Sequence, residues 1–444
     1  MISSMAPAPA QPIILAFEEA RHVVEQHAAG LHPKGKEAID LLRSAGRVLA
    51  EPIVADRDFP PFPRATRDGY AVQAADLQQL PATLNIIGEI KAGASEEMLH
   101  QLGPGQTVAI MTGAPVPPGA DAVVMVEHTV RNENRVEIRK AVSSGENIVP
   151  AGSEAKRGDY LLTPGQRMGH AEIALAASAG RSRLLVYTKP RVAVLSTGDE
   201  IVDIDVAPGS AQIRNSNSYS LAAQIETAGG EPVLLPIALD EPSRLRELIA
   251  EGLGADLLLI AGGVSMGKFD LVEQALADFH AEFFFTGVQI QPGRPVVFGR
   301  VPRGIATSSS AARASVSSNE TAGRESLASS SGDTYFFGLP GNPISTMVTF
   351  ELFSRPMLES LCGLLPHKLV FLHAKLKSEI KTKTGLKRFL PALLSGEFEH
   401  AEVSVISWQG SGDIAAVARA NCYIVVPPDR ERIEVGEWVP VLSR

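Results

Sequence analysis

One segment limits what this chain can fold into more than any other. Leu257-Leu-Leu-Ile-Ala261 is an unbroken apolar run, closed at once by Gly262-Gly263. It is strand-length and shows no alternation of polar and apolar side chains, so both of its faces must be covered. The surroundings supply the cover. Val192–Leu195, Pro232–Ile237, Phe283–Phe285, Val296–Phe298 and Tyr335–Phe337 read as further strands. Asn217–Ala228, Pro242–Glu251, Leu271–Phe279 and a long Pro343–Cys362 segment read as helices between them. Strand–helix alternation with continuous apolar strands predicts a parallel sheet with helices on both faces.

The rest of the chain is organised differently. Residues 1–12 are small and Pro/Ala-rich and read as a loose tail. Ile13–Ala29 and Lys36–Leu49 read as helices, as does Ala171–Ala179. Between residues 70 and 165, short apolar segments alternate with Pro-Gly and Asn-rich turns, the mark of a small all-β unit. Strand-like segments return from Lys368 to the end, among them Val403–Ser407, Cys422–Val426 and Trp438–Leu442, and suggest a β-barrel or sandwich. Residues 303–334 contain ten Ser and six Ala in 32 positions, too little apolar surface to build a core, and read as a disordered insertion between two strands. The expected architecture is multidomain, α/β plus β. The boundaries fall at 12–55 with 155–187, at 56–154, at 188–365 and at 366–444.

Composition narrows the function classes. The 444 residues carry 41 Lys+Arg against 50 Asp+Glu, a net charge of −9, which argues against a general nucleic-acid or anionic-membrane surface. The two cysteines, Cys362 and Cys422, cannot build a disulfide framework and suit a reducing compartment. With neither a membrane-length apolar run nor a signal-like start, a cytoplasmic location is expected. His22, His27 and His32 are five apart, a spacing that does not align them on one helix face, and read as surface residues.

Three glycine-containing turns sit where parallel strands should end, the edge at which open α/β sheets bind ligands. They are Leu195-Ser-Thr-Gly-Asp-Glu200, Ile260-Ala-Gly-Gly-Val-Ser-Met-Gly267 and Gly338-Leu-Pro-Gly-Asn-Pro-Ile-Ser345. The second fits a G-x-S-x-G nucleophile elbow around Ser265, but three residues separate Gly267 from the next helix. It also fits most of a phosphate-binding P-loop, failing at Phe269 where a hydroxyl should stand. A plain sharp turn, or a loop whose backbone N–H groups admit a phosphorylated ligand, are the other readings. Asn342 and Pro343 are a good helix start, and such an N-terminus attracts anions. Asp199, Glu200, Asp240 and Asp270 punctuate the same edge; carboxylates gathered with phosphates suggest Mg²⁺, and solvated loop acids are the plainer reading. Asp68 and Glu154 lie outside this region and read as turn acids unless a fold joins them to it.

Taken together, the segments resemble those of the molybdopterin molybdenumtransferases, the MoeA-like enzymes related to the E domain of gephyrin. The segments are Pro61-Phe-Pro-Arg with Asp68-Gly-Tyr-Ala, Met111-Thr-Gly-Ala-Pro-Val-Pro-Pro-Gly-Ala-Asp-Ala, Ser196-Thr-Gly-Asp-Glu, Gly262 to Asp270, Pro292-Gly-Arg-Pro and Gly338-Leu-Pro-Gly-Asn-Pro, in that order. The resemblance implies an N-terminal linker and dimerisation domain, an inserted β domain, a molybdopterin-binding α/β domain and a C-terminal β domain. It implies insertion of molybdate into adenylylated molybdopterin with release of AMP, dependent on Mg²⁺, in a homodimer. The family's functional acids fall on Asp68, Glu200, Asp240 and Asp270, with Glu200 and Asp270 as metal ligands, and its threonine falls on Thr112. Gly262, Gly263, Ser265, Gly267, Arg294, Pro340, Pro343, Ser345, Arg388 and Ser411 become substrate-binding positions. Asp68 and Thr112 are expected to serve the α/β domain of the other subunit. This chain departs from the family pattern at Glu154, at Gln291, where a positive charge is lost, and in the Ser-rich insertion. A molybdopterin adenylyltransferase and a non-catalytic molybdopterin-binding scaffold are the alternatives.

Overall fold

The computed structural model describes residues 12–95, 99–263, 271–302 and 332–444. The expectations that rest on Ser265, Gly267, Asp270 and residues 303–331 lie outside them. The chain forms two compact units. One comprises the first 37 residues, residues 46–48 and residues 185–444; the other comprises residues 38–45 and 49–184.

The first unit is built on a six-stranded sheet. Its strands are β1 (Arg191–Ser196), β2 (Glu231–Leu234), β3 (Leu257–Ala261), β4 (Glu282–Phe285), β5 (Val297–Val301) and β6 (Thr334–Leu339). The spatial order is β2-β1-β3-β6-β5-β4. The first four strands in that order run parallel, with β3 at the centre in register Leu257 to Val192 on one side and Leu257 to Tyr335 on the other. β5 and β4 join antiparallel, so the expected parallel sheet carries an antiparallel flank. The short link between β4 and β5 leaves no helix to carry the chain back across the sheet, as a parallel step requires.

The apolar run behaves as its sequence demands. Leu257, Leu259 and Ala261 face a core that includes Leu221 and Ile225 of the Asn217–Ala228 helix, Ile344 and Val348, and Phe17 and Val24 of the Phe17–Ala28 helix. Leu258 and Ile260 face the other core, against Leu248 and Ile249 of Pro242–Gly252 and Val272 and Leu276 of Leu271–Ala277. All five strand residues are fully buried.

Three local expectations are corrected. Lys36–Leu49 is not a helix but a strand, Lys36–Asp40, followed by a 3₁₀ turn over Leu41–Ser44. Its backbone is engaged by a distant segment: Leu41 N–H donates to Ser182 O at 2.9 Å, and Arg183 Nη2 to Ala38 O at 3.1 Å. Tertiary partners thus outweigh a weak helical pattern. The helix from Pro343 is interrupted by a π turn at Phe350–Ser354 before resuming over Arg355–Leu361. The buried Arg21 guanidinium donates to the Leu352 carbonyl inside that wide turn. His27 is half-buried rather than a free surface residue. Its ring stacks on Phe284 at 3.9 Å between centroids, and its Nδ1 lies 3.2 Å from the Tyr335 hydroxyl. Burial first, then the nearby Arg300 charge, pushes its pKa down.

The C-terminal strands close on themselves. Lys387–Ser395, Glu402–Val405, Phe371–Leu376, Trp438–Ser443 and Cys422–Val426 pair in turn, and the last pairs back to the first. Closure removes free sheet edges and surrounds a core of Ala374, Val403, Ile424 and Val441. Ile290–Gln291 adds alongside Lys387–Ser395 and sets Gln291 opposite Arg388.

The second unit carries its own six-stranded sheet. Alternate residues of Gly69–Val72 enter separate cores: Ala71 joins Val108, Ile110 and Val123, while Tyr70 and Val72 join Val124, Val136 and Ile138. Gly69 is required there, because a Cβ would stand 1.9 Å from the Val124 carbonyl oxygen.

If β3 is the keystone of the first unit, Leu259→Ala should cost about 2–5 kcal/mol, the loss expected for a leucine truncated in a packed core. Urea unfolding would measure it. A loss well under about 1 kcal/mol would mean that the strand is not clamped between two layers.

Candidate active site

The ends of β1, β3 and β6 leave the sheet together because the hydrogen-bond ladder continues past them. Thr197 N–H donates to Ala261 O and Gly262 N–H to Leu339 O, both at 3.0 Å. Gly198 N–H reaches Ala238 O at 3.1 Å, tying the end of β1 to the loop after β2. Two glycines make this crowding possible. Gly262 has φ +97°, and a Cβ there would lie 2.6 Å from the Thr197 carbonyl oxygen. Gly263 has φ +65°, and its Cβ would meet Val272 Cγ2 at 2.6 Å and Thr197 Oγ1 at 2.7 Å. Glycine is required at both positions because the turns pack directly against Thr197 and Val272.

A buried polar cluster supports these turns. Ser196 Oγ lies 3.1 Å from Asn215 Oδ1 and 2.9 Å from Ser218 Oγ, and Asn215 Nδ2 donates to Ser218 Oγ at 2.9 Å. Asn217 Nδ2 donates to the Gly341 carbonyl at 2.8 Å and so pins the Pro340–Asn342 turn to the start of the Asn217–Ala228 helix. Of these residues, Asn215, Asn217 and Ser218 did not stand out as functional in the sequence. The available signal was Asn215-Ser-Asn-Ser218, an unusually polar helix start for a helix whose other face enters the core.

Three acids of this edge, Asp199, Glu200 and Asp240, lie near one another. Asp199 Oδ1 accepts the Asp240 backbone N–H at 3.0 Å. Burial first, then the negative charges of Asp199 and Glu200, hold the Asp240 carboxyl above its ordinary value. Gly198 leaves the room that Glu200 occupies, since a Cβ would sit 2.5 Å from Glu200 Oε2. Among the described residues no three His, Cys, Asp or Glu side chains converge as a ready-made metal cage.

A second group surrounds the helix that starts at Pro343. Asn342 occupies the cap position, but its side chain makes no capping hydrogen bond. The Ile344 N–H instead donates to the backbone carbonyl of Ser411 at 3.0 Å, which brings Ser411 to this helix start. Thr346 Oγ1 closes the turn from inside, donating to Pro340 O at 2.5 Å. Pro340 and Ser345 are buried. Gly293 packs against this helix, where a Cβ would meet Thr349 Cγ2 at 2.5 Å. Arg294, next to it, is exposed. Arg388, 8% exposed, donates through Nη2 to Lys383 O at 2.6 Å. Its buried Nε has no partner among the described residues, and burial lowers the pKa of the guanidinium.

In the second unit, Asp68 and Thr112 form a pair. The Thr112 backbone N–H and Oγ1 both donate to Asp68 Oδ1, at 2.6 and 2.7 Å. The hydroxyl bond first, then the backbone bond, holds the Asp68 carboxyl below its ordinary 3.8. Glu154 is engaged separately in an exposed ion pair with Arg64 at 3.0 Å.

Comparison with known proteins covers nearly the whole chain. The MoeA N-terminal region (domain I and II) matches residues 15–180, a probable molybdopterin binding domain matches 193–360, and the MoeA C-terminal region (domain IV) matches 373–443. A molybdopterin molybdenumtransferase of Nostoc sp. is 33% identical over 92% of this chain and 88% of its own length. The chain belongs to the molybdopterin molybdenumtransferase family. A Staphylococcus aureus relative of the same name is 32% identical over 91% of this chain and 90% of its own length. The crystal structure of a molybdopterin biosynthesis MoeA protein from Pyrococcus horikoshii, 30% identical, superposes with a TM-score of 0.66 over 97% of this chain and 99% of that one.

Within this molybdopterin molybdenumtransferase chain, three groups of the expected site residues are therefore seen. Glu200, Asp240, Gly262, Gly263 and Pro340 share one sheet edge, and Pro343, Ser345 and Ser411 share one helix start. Asp68 and Thr112 share one hydrogen-bonded turn. A folded carboxyl with a lowered pKa adds stability that is complete above its unfolded value and is lost as pH falls through the folded value. Thr112→Val removes the hydroxyl bond, the first cause of the lowering, so the Asp68 pKa should rise part of the way toward 3.8. Carboxyl-carbon NMR titration reads this directly; an unchanged titration would dissolve the pair.

Proposed function

We propose that this chain inserts molybdate into adenylylated molybdopterin and releases AMP, acting in the cytoplasm as a homodimer. The reading is carried by one observation: three glycine-containing turns leave the sheet together at its ligand-binding edge, beside the carboxylates of Asp199, Glu200 and Asp240. Such a place suits a ring and a phosphoanhydride, the first needing close backbone approach and the second a countered charge. The names of the relatives support the same chemistry. An adenylyltransferase is the weaker reading, since the relatives named above match over the β regions as well as the α/β sheet.

The proposed roles follow from the surroundings of each residue. Gly262, Gly263 and Gly267 are positions where the substrate meets backbone rather than a side chain, with Ser265 as a contact rather than a nucleophile. Pro340, Pro343 and Ser345 shape the adjoining turn. Molybdate, a tetrahedral dianion, is held by Arg294, Arg388 and Ser411, and the Nε of Arg388, which has no partner among the described residues, supports that role. Gln291, opposite Arg388, offers an amide where a cation would add charge, so Arg294 and Arg388 carry the electrostatic load. Asp68 and Thr112 act at the substrate held by the partner subunit.

Mg²⁺ fits the donor chemistry of this edge. Burial first, then the charges of Asp199 and Glu200, raise the Asp240 pKa, and a hard cation with oxygen ligands would offset that like charge. Glu200 and Asp270 would hold it, and when bound it would neutralise charge on the phosphoanhydride.

Purified protein should release AMP from adenylylated molybdopterin only when molybdate is supplied. Glu200→Gln should lower that rate at least roughly a hundredfold, as removal of a group that stabilises developing charge does. Mixed Asp68→Ala and Asp270→Ala proteins should regain part of the activity that each lacks. AMP release without molybdate, or a fully active Glu200→Gln, would refute the reading. Subunit exchange with no recovery would refute the shared site alone.

A further inference from the structure

Two side-chain atoms at the sheet edge have no partner among the described residues, although each residue is almost wholly buried. They are Thr197 Oγ1, on a residue 4% exposed, and Asn217 Oδ1, on a residue 5% exposed. Burying a polar group without a partner is costly, and folded chains seldom do it without a use for the atom. The two atoms belong to one place. Thr197 Oγ1 borders the positions where Gly262 and Gly263 lack a Cβ, at 3.2 and 2.7 Å. Gly341, the partner of Asn217, faces Gly262, with only 3.6 Å from its absent Cβ to the Gly262 Cα.

The chemistry of the two atoms is specific. The Gly341 carbonyl can only accept, so it draws the amide nitrogen of Asn217 and leaves Oδ1 as a pure acceptor. Thr197 adds a hydroxyl that can give or take one hydrogen bond. An acceptor and a hydroxyl on the same sheet edge match the edge of a flat heterocycle that carries an amino group and a ring nitrogen or carbonyl. Resting on the function proposed above, we infer that Asn217 and Thr197 recognise the amino-bearing edge of a substrate heterocycle. The Asn217 Oδ1 accepts from the amine, and the Thr197 hydroxyl bonds the neighbouring ring atom. Adenylylated molybdopterin presents that chemistry twice, on its pterin and on its adenine, and the test separates them.

The full-length chain would be titrated with two probe pairs in which an oxo group replaces the amine: 6-hydroxymethylpterin against 6-hydroxymethyllumazine, and AMP against IMP. Wild type should prefer the amino member of one pair by at least roughly tenfold, the worth of one well-made hydrogen bond. The pair that shows the preference identifies the ring. Asn217→Ala should bring that ratio close to one while weakening the oxo member little. Thr197→Val should weaken the preferred probe several-fold and melt no lower than wild type, because the hydroxyl it removes has no partner to lose. That combination separates recognition from a structural role, which would lower the melting temperature. Absence of a preference in both pairs, or a ratio unmoved by Asn217→Ala, would overturn the inference. A wild-type protein that keeps the preference but releases no AMP would overturn the transferase reading alone.

Discussion

The burial of β3 on both faces is the constraint on which the rest of the first unit depends. Its five residues are apolar to both sides, and each fully buried large side chain contributes about 1.5–3 kcal/mol. No arrangement with one wet face can satisfy it. The helices after β1 and β2 take opposite sides of the sheet, and β1 and β6 flank β3 in parallel. Three parallel strands held side by side must end at one edge. The turns at Thr197, Gly262 and Pro340 are therefore neighbours as a consequence of hydrophobic packing some residues earlier.

Beyond that edge, polar interactions take over. Ser196, Asn215 and Ser218 satisfy one another in the interior and fix the helix start from which Asn217 reaches Gly341. Against this rigid backing stand Asp240, partly desolvated beside two carboxylates, and, without partners among the described residues, Arg388 Nε, Thr197 Oγ1 and Asn217 Oδ1. A chain selected for stability alone would replace them. Thr197 and Asn217 stand at the glycine turns, and under the proposed function such groups are what a preorganised binding site costs its fold.

The legible part of this protein is that written in local pattern. Leu257–Ala261 announces a two-sided strand, Gly262 and Gly263 announce a turn, and Asn342-Pro343 announces a helix start. The motif order across the chain announces the family before any contact is known. Where local pattern was weak it misled. Lys36–Leu49 carried helical spacing but was drawn into extended pairing, and His27 was hidden by rings from β4, β5 and β6.

Sequence alone determined the class of the sheet, the position of its glycine turns and the residue types available for phosphate and oxyanion chemistry. These follow from side-chain period and backbone freedom, which act over a few residues. Only the tertiary structure decided that the Ser411 carbonyl meets Ile344 N–H, that Gln291 stands opposite Arg388, that Thr112 holds Asp68, and that Asn217 reaches Gly341 with its oxygen left over. The last of these contacts spans 124 residues, and the Thr112–Asp68 pair spans 44. Hydrogen bonds across such separations exist because packed layers bring the chain back to the same point, and that return depends on how the cores fill rather than on any pattern near either partner.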